Sequence, residues 1–409
     1  MRQPNSGLIS SMSSGHDEQG ISGETRGCVQ GHNDGPHPAI ADGGDDPLTP
    51  HTIYAYGINA TFIGYGARLT SLYVHDRDNT PRDVVVGYDD PAQYVKDTAT
   101  NHTYFGAIVG RYANRIKNGT FTIDGQSYQI PENENGGHDT LHGGAVGYDA
   151  RNWTVTQSDT SSITFGLYDP DGDQGFPGAV MNYVTYTLSA SPTRLTARIV
   201  SISLEQATPI MPSTHIYWNL GAFATPTVLN DTLSMPYAER IIDIDSIEVP
   251  TGGLASVKYP SQSASLPLNF TAPKQIWEGA LSSQQCGYGC TGIDNAFILD
   301  RPVWSGPDSA DLTMLQMSSP STGIRMTMRT NGQSLQIYSC VGQNGTIPIK
   351  ASQMGSGVQS VEKYGCLVIE PQQWIDGINH PEWGQLGRQI FSPATGPNDN
   401  WAEYTFDTV

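Results

Sequence analysis

Residues 120–130 read TFTIDGQSYQI. Phe121 and Ile123 alternate with polar neighbours into Asp124-Gly125, and Tyr128 and Ile130 alternate out of it. Period-two alternation sends successive side chains to opposite faces of a strand, and Asp-Gly tolerates the positive φ values of a tight hairpin turn. The stretch therefore predicts a β-hairpin. The same pattern recurs on either side of the next polar turns. Trp153 and Val155 face Ile163, Phe165 and Leu167, while Val184, Tyr186 and Leu188 are answered by Leu195, Ala197 and Ile199 after Ser189-Ala190-Ser191-Pro192. Hairpins joined in this way make antiparallel meanders.

Helical patterning is sparse. DDPAQYVKD (residues 89–97) opens with Asp caps and a Pro, and APKQIWEGAL (residues 272–281) has room for about two turns. Neither reads as a crossover helix. Together with 45 Gly and 27 Pro, this predicts an all-β fold, a large antiparallel β-sandwich in place of a parallel α/β sheet. Residues 1–48 are rich in Gly, Ser, Asp and His without apolar periodicity, which is the composition of a disordered extension. Residues 49–409 are expected to form one domain, because no polar, core-free stretch divides them.

The formal charge is −19, with 21 Lys and Arg against 40 Asp and Glu. That balance excludes nucleic acid as a partner, since a phosphate backbone is gripped by clustered cations. No apolar run reaches the roughly 18 to 20 residues that cross a bilayer, so no membrane association is expected. A neutral or cationic small molecule is the partner that fits.

Five cysteines leave two readings open. They are reduced thiols in a cytoplasmic chain, or Cys286–Cys290 and Cys340–Cys366 pair in a secreted one and leave Cys28 over. Glycosylation-type triplets at Asn59, Asn101, Asn118, Asn152, Asn230, Asn269 and Asn344 favour the extracellular reading, although no signal peptide is visible in residues 1–48.

Two apparent motifs dissolve on inspection. Gly287, Gly289 and Gly292 spell G-x-G-x-x-G but neither follow a strand nor open a helix, so the helix terminus that cradles a phosphate is missing. His138 and His142 stand four apart, but glycines flank them and no helix would align their rings, so no metal is expected. The informative segments are YFGAIVGRYANRIKNGTF with Arg111, Asn114 and Arg115; TLHGGAVGYD with His142 and Asp149; PSTHIYWNLGAF with His215 and Trp218; and CLVIEPQQWIDGINHPEW with Glu370, Trp374 and Trp383. Each sets ionisable groups beside Gly or aromatic residues, the mixture that a sugar site needs for ring faces and hydroxyls.

In order and spacing, from about Tyr54 onward, these segments resemble the aldose 1-epimerase (galactose mutarotase) family. GYDDPAQY, GIDNAFIL around Asp294 and SLQIYSC around Gln336 add to the resemblance. It implies a β-supersandwich of the galactose mutarotase type that interconverts the anomers of free hexoses, such as galactose and glucose, without a cofactor. Glu370 is then the catalytic base and His215 the acid, while Asn114, Arg115, His142, Asp294 and Gln336 hold the sugar. His suits the acid role because its unperturbed pKa near 6.5 leaves an appreciable protonated fraction close to neutrality. Arg111 and Asp149 read as structural, and the three tryptophans as packing. Thr214, where the family commonly has Asn, and Pro371 after the base depart from the pattern. Rival readings are a non-catalytic sugar-binding protein on the same fold and a glycoside hydrolase using Asp294 and Glu370 as its two carboxylates.

Overall fold

The computed structural model describes residues 45–258, 267–302, 305 and 311–409. Residues 1–44 of the expected extension lie outside the described residues. Leu48, at its end, packs against a buried cluster, and Pro47 accepts a hydrogen bond from the Tyr65 amide at 2.9 Å.

Two large sheets carry the architecture. The first has nine strands in the order Thr154–Ser158, Ser162–Asp169, Val180–Ala190, Thr193–Ser203, Asn398–Thr408, Ile324–Thr330, Leu315–Ser318, Thr232–Ser234 and Lys274–Gln275. The second runs Pro250–Ser256, Ala238–Ile244, Gly292–Leu299, Ser334–Tyr338, Leu367–Gln372, Ser213–Trp218 and Ala107–Val109, with Gln284–Gln285 beside Gly292–Leu299. That last pairing is parallel, the exception to an otherwise antiparallel arrangement among the named strands. A separate four-stranded sheet is built from His51–Ala55, Ile58–Ile63, Arg68–His75 and Pro81–Asp83.

The expected hairpins form in the expected register. Val184, Tyr186 and Leu188 sit opposite Ile199, Ala197 and Leu195, and Val155 sits opposite Phe165. The 120–130 stretch makes its own two-stranded ribbon, with Phe121 opposite Tyr128 and positive φ at both Asp124 (50°) and Gly125 (82°). Both helical stretches form: Pro91–Thr98, capped by the Asp90 side chain on the Ala92 amide, and a short Ile276–Ala280.

The main core lies between the two large sheets. Ile216, Ile293, Phe297, Leu335, Ile337, Leu367 and Ile369 of the second meet Ala197, Ile199, Met326, Met328, Tyr404 and Phe406 of the first. Burying such side chains contributes about 1.5 to 3 kcal/mol each, which pins the register. It also decides where the polar residues go. With their odd-numbered neighbours committed to the core, Asp294, Gln336 and Glu370 must project from the opposite face, and His215 does so beside Ile216.

Candidate active site

Those four residues form a row across neighbouring strands. Gln336 is directly opposite Glu370, and Ile216 is opposite Ile369, which brings His215 level with Glu370. Asp294 is one step along, opposite Tyr338, and accepts a hydrogen bond from Gln336 Nε2 at 2.5 Å. His215 Nε2 and Glu370 Oε1 are 3.5 Å apart. All five sugar-binding candidates and both catalytic candidates line one cavity of about 380 Å³, so the structure brings together every site residue expected from the sequence.

Asn114 and His142 reach the cavity from loops outside this row, and each holds the other. The His142 amide donates to the Asn114 carbonyl at 3.1 Å, and the Asn114 amide donates to His142 Nδ1 at 3.0 Å. Both residues take left-handed φ, 60° and 51°, a conformation that Asn and His tolerate better than most side chains. The accepted bond fixes the neutral tautomer: Nδ1 is the acceptor, so Nε2–H faces the cavity as a donor. His142, His215 and Glu370 each offer a ligand atom, all within 4.8 Å of one another. As a metal site the trio fits poorly, because a ligating imidazole normally donates its second ring nitrogen, whereas Nδ1 of His142 already accepts.

Arg115 is more heavily engaged than its sequence suggested. Its guanidinium meets Glu134 at 2.6 and 2.8 Å, Glu248 at 2.5 Å and Asp139 at 3.6 Å. Glu134, Glu248 and Asp139 were not legible as site residues, since no motif singles them out. Nor were Tyr104, whose ring lies 4.7 Å from that of His142 and 5.5 Å from that of His215, and His102, stacked 4.1 Å from Tyr104. Arg111 and Asp149 both lie buried in ion pairs, and neither lines the cavity. Arg111 is buried on Asp169 at 2.7 Å, and Asp149 is buried against His102 and Arg68. Trp218 is core, and Trp383 packs on Trp374 and His380. Thr214 is buried with its hydroxyl 3.3 Å from that of Tyr404, and the Pro371 carbonyl accepts from Ser213 and Asn400.

Burial dominates the electrostatics. It pushes the Glu370 carboxyl well above the usual range, with the nearby Asp294 charge adding and Arg115 opposing. Burial also lowers His215 to about 3. The expectation of an appreciable imidazolium fraction near neutrality therefore fails, because desolvation penalises the charged ring. Asp294 rises to about 6 for the same reason, against the pull of Arg115 and Gln336. Between the His215 and Glu370 ionisations the pair holds one exchangeable proton, resting on Glu370.

A polar cavity lined by a carboxyl and an imidazole 3.5 Å apart is the equipment of an acid–base enzyme for a small polar substrate. The match to known proteins narrows this. Residues 52–389 fit the family model described as aldose 1-epimerase. The chain is 51% identical to a probable aldose 1-epimerase of Arthroderma benhamiae, covering 90% of this chain and 88% of the relative. It is 28% identical to the galactose mutarotase of Bos taurus, covering 83% and 91%. A solved aldose epimerase homologue from C. elegans superposes with a TM-score of 0.74 at 25% identity, over 88% of this chain and 99% of that one. The chain belongs to the aldose 1-epimerase family and is an isomerase with the galactose mutarotase fold.

Proposed function

We propose that the chain interconverts the α and β anomers of free hexoses such as galactose and glucose, with Glu370 and His215 moving the protons. Opening the ring removes the proton of the anomeric hydroxyl, forms the aldehyde C=O, breaks the bond from that carbon to the ring oxygen and protonates that oxygen. Glu370 takes the hydroxyl proton, and His215 in its imidazolium form gives a proton to the ring oxygen. Rotation about the first carbon–carbon bond and closure on the other face, with the roles exchanged, give the second anomer.

The carrying observation is the 3.5 Å approach of His215 Nε2 to Glu370 Oε1 inside the cavity. Protonated carboxyl with neutral imidazole, and carboxylate with imidazolium, contain the same number of protons. The pair can therefore enter the catalytic form by an internal shift, which the Arg115 charge favours by stabilising the Glu370 carboxylate. A hydrolase would set a second carboxylate across the scissile bond. Here Glu370 is partnered by a histidine, and Asp294 is tied to Gln336. Asn114, Arg115, His142, Asp294 and Gln336 hold the hydroxyls. Galactose as a substrate is supported by the name of the bovine relative.

Polarimetry on freshly dissolved α-galactose and α-glucose tests the reading. Wild type should hasten the approach to the same final rotation. Glu370→Gln and His215→Asn should each lose about 10²- to 10⁴-fold while still binding sugar. Binding by wild type with no acceleration would refute it.

Secretion and glycosylation belong to the same proposal. Cys286–Cys290 and Cys340–Cys366 stand at disulfide separation, with Cα–Cα distances of 5.8 and 5.6 Å, and the triplet asparagines at 101, 118, 152, 230 and 344 are exposed. Among the described residues no helix is long and apolar enough to cross a membrane. Intact mass of the protein from its native host, before and after reduction and deglycosylation, decides the matter.

A further inference from the structure

His102 lines the cavity but has no part in the proton transfers. It comes from the turn after the helix Pro91–Thr98, which is firmly built. The His102 amide donates to the Asp97 carbonyl at 2.7 Å, and the Thr103 amide and hydroxyl donate to the Asp97 carboxylate at 2.9 and 2.6 Å. The Tyr217 hydroxyl closes the turn on the Thr103 carbonyl at 2.5 Å. From the other side, Asp149 Oδ2 sits 2.8 Å from His102 Nε2. Asp149 is 1% exposed, and Arg68 approaches it at 3.8 Å.

A carboxylate can only accept, so Nε2 of His102 carries a proton, and in the neutral ring Nδ1 then keeps its lone pair. Among the described residues that nitrogen has no hydrogen-bond partner, and the side chain is 26% exposed. His142, on the other flank of Tyr104, has the opposite tautomer, with Nδ1 accepting and Nε2–H free. The wall around Tyr104 thus offers one imidazole acceptor and one imidazole donor, each fixed by a buried partner.

We propose that His102 is a specificity-determining residue whose Nδ1 accepts a hydrogen bond from one sugar hydroxyl away from the anomeric centre. The inference rests on the anomerisation reading above. The bland alternative is that His102 merely satisfies Asp149. The two differ in what they require of the substrate, because a hydroxyl can donate to Nδ1 and a fluorine cannot.

The experiment measures kcat and KM for galactose and its monodeoxyfluoro analogues with wild type, His102→Ala and His102→Gln, and binding of the same sugars by calorimetry. In wild type one analogue should bind roughly threefold to tenfold more weakly than galactose, the scale of one neutral hydrogen bond. In His102→Ala that gap should close, through KM and not kcat, and His102→Gln, whose amide oxygen can accept, should restore part of it. A gap that persists in His102→Ala overturns the proposal, as does an equal loss for every sugar, which is the signature of a structural role. Asp149→Asn adds a check where it folds. An amide that donates to Nε2 would leave Nδ1 as a donor, and the gap between hydroxyl and fluorine should then shift from its wild-type value. If wild type fails to speed the anomerisation of galactose, the catalytic reading falls, and the calorimetric panel still judges His102.

Discussion

Asp231, which does not line the cavity, gives a sharp test of the burial physics. It precedes the strand Thr232–Ser234, is 4% exposed, and its Oδ2 lacks a hydrogen-bond partner among the described residues. Burial raises its pKa from 3.8 to about 7. A raised folded-state pKa means that the folded chain holds the proton more tightly than the unfolded one. The associated stability is complete below about pH 3.8 and is lost as the pH rises through about 7. The shift corresponds to about 4 kcal/mol once both states are ionised. Asp231→Asn keeps the shape and leaves the backbone bonds of residue 231 to Val228 and Ile276 in place. Urea denaturation of both proteins at a series of pH values should show the variant gaining on wild type by about 1.4 kcal/mol per pH unit across that window, then levelling near 4 kcal/mol. Differencing the two proteins cancels every other titration, and a constant offset from the substitution leaves the pH dependence of the difference unchanged. A stability difference that does not vary with pH would refute the assignment and weaken the same argument for Glu370.

The low His215 pKa sets the acid edge of activity. Below about 3 the pair takes a second proton and no base remains, so the acid limb of kcat/KM should lie near 3 and not near the ordinary 6.5 of histidine; a limb near 6.5 would show that the ring is hydrated. Gly143 has φ +92°, and a Cβ there would meet the Gly110 carbonyl oxygen at 2.2 Å. Gly143→Ala should displace His142 and cut kcat/KM by roughly 10²-fold with the fold retained by circular dichroism. Replacing Cys340 and Cys366 by Ser tests the proposed crosslink, whose loss across 26 residues should cost about 3 kcal/mol. Because the enclosed segment supplies Gly342, Gln343, Asn344, Thr346 and Ile347 to the cavity, KM should rise as well; unchanged denaturation and KM would show the pair to be reduced in the working enzyme.

What could be read from the sequence follows the range of the interactions. The hairpins at 120–130 and 180–203 are local, so alternation and turn chemistry sufficed for their register. Glu370 and His215 were legible because motif order carried them, but their protonation was not, since it depends on how completely strands distant in sequence exclude water. The carboxylates around Arg115 escaped for a related reason. Glu134 and Glu248 lie in unpatterned loops and become meaningful only when both converge on one guanidinium. His102 was hidden similarly, because Asp149, which fixes its tautomer, lies 47 positions away in the chain.

The row of Asp294, Gln336, Glu370 and His215 does not follow chain order. The strand Ser213–Trp218 lies beside Leu367–Gln372, while Gly292–Leu299 and Ser334–Tyr338 fall on the far side of the latter. Closing so long a loop before its contacts form is entropically slow. During refolding, then, the meanders should acquire strand structure first and turnover should return last. Catalytic rate is therefore a stricter gauge of a finished fold than any spectroscopic count of strands.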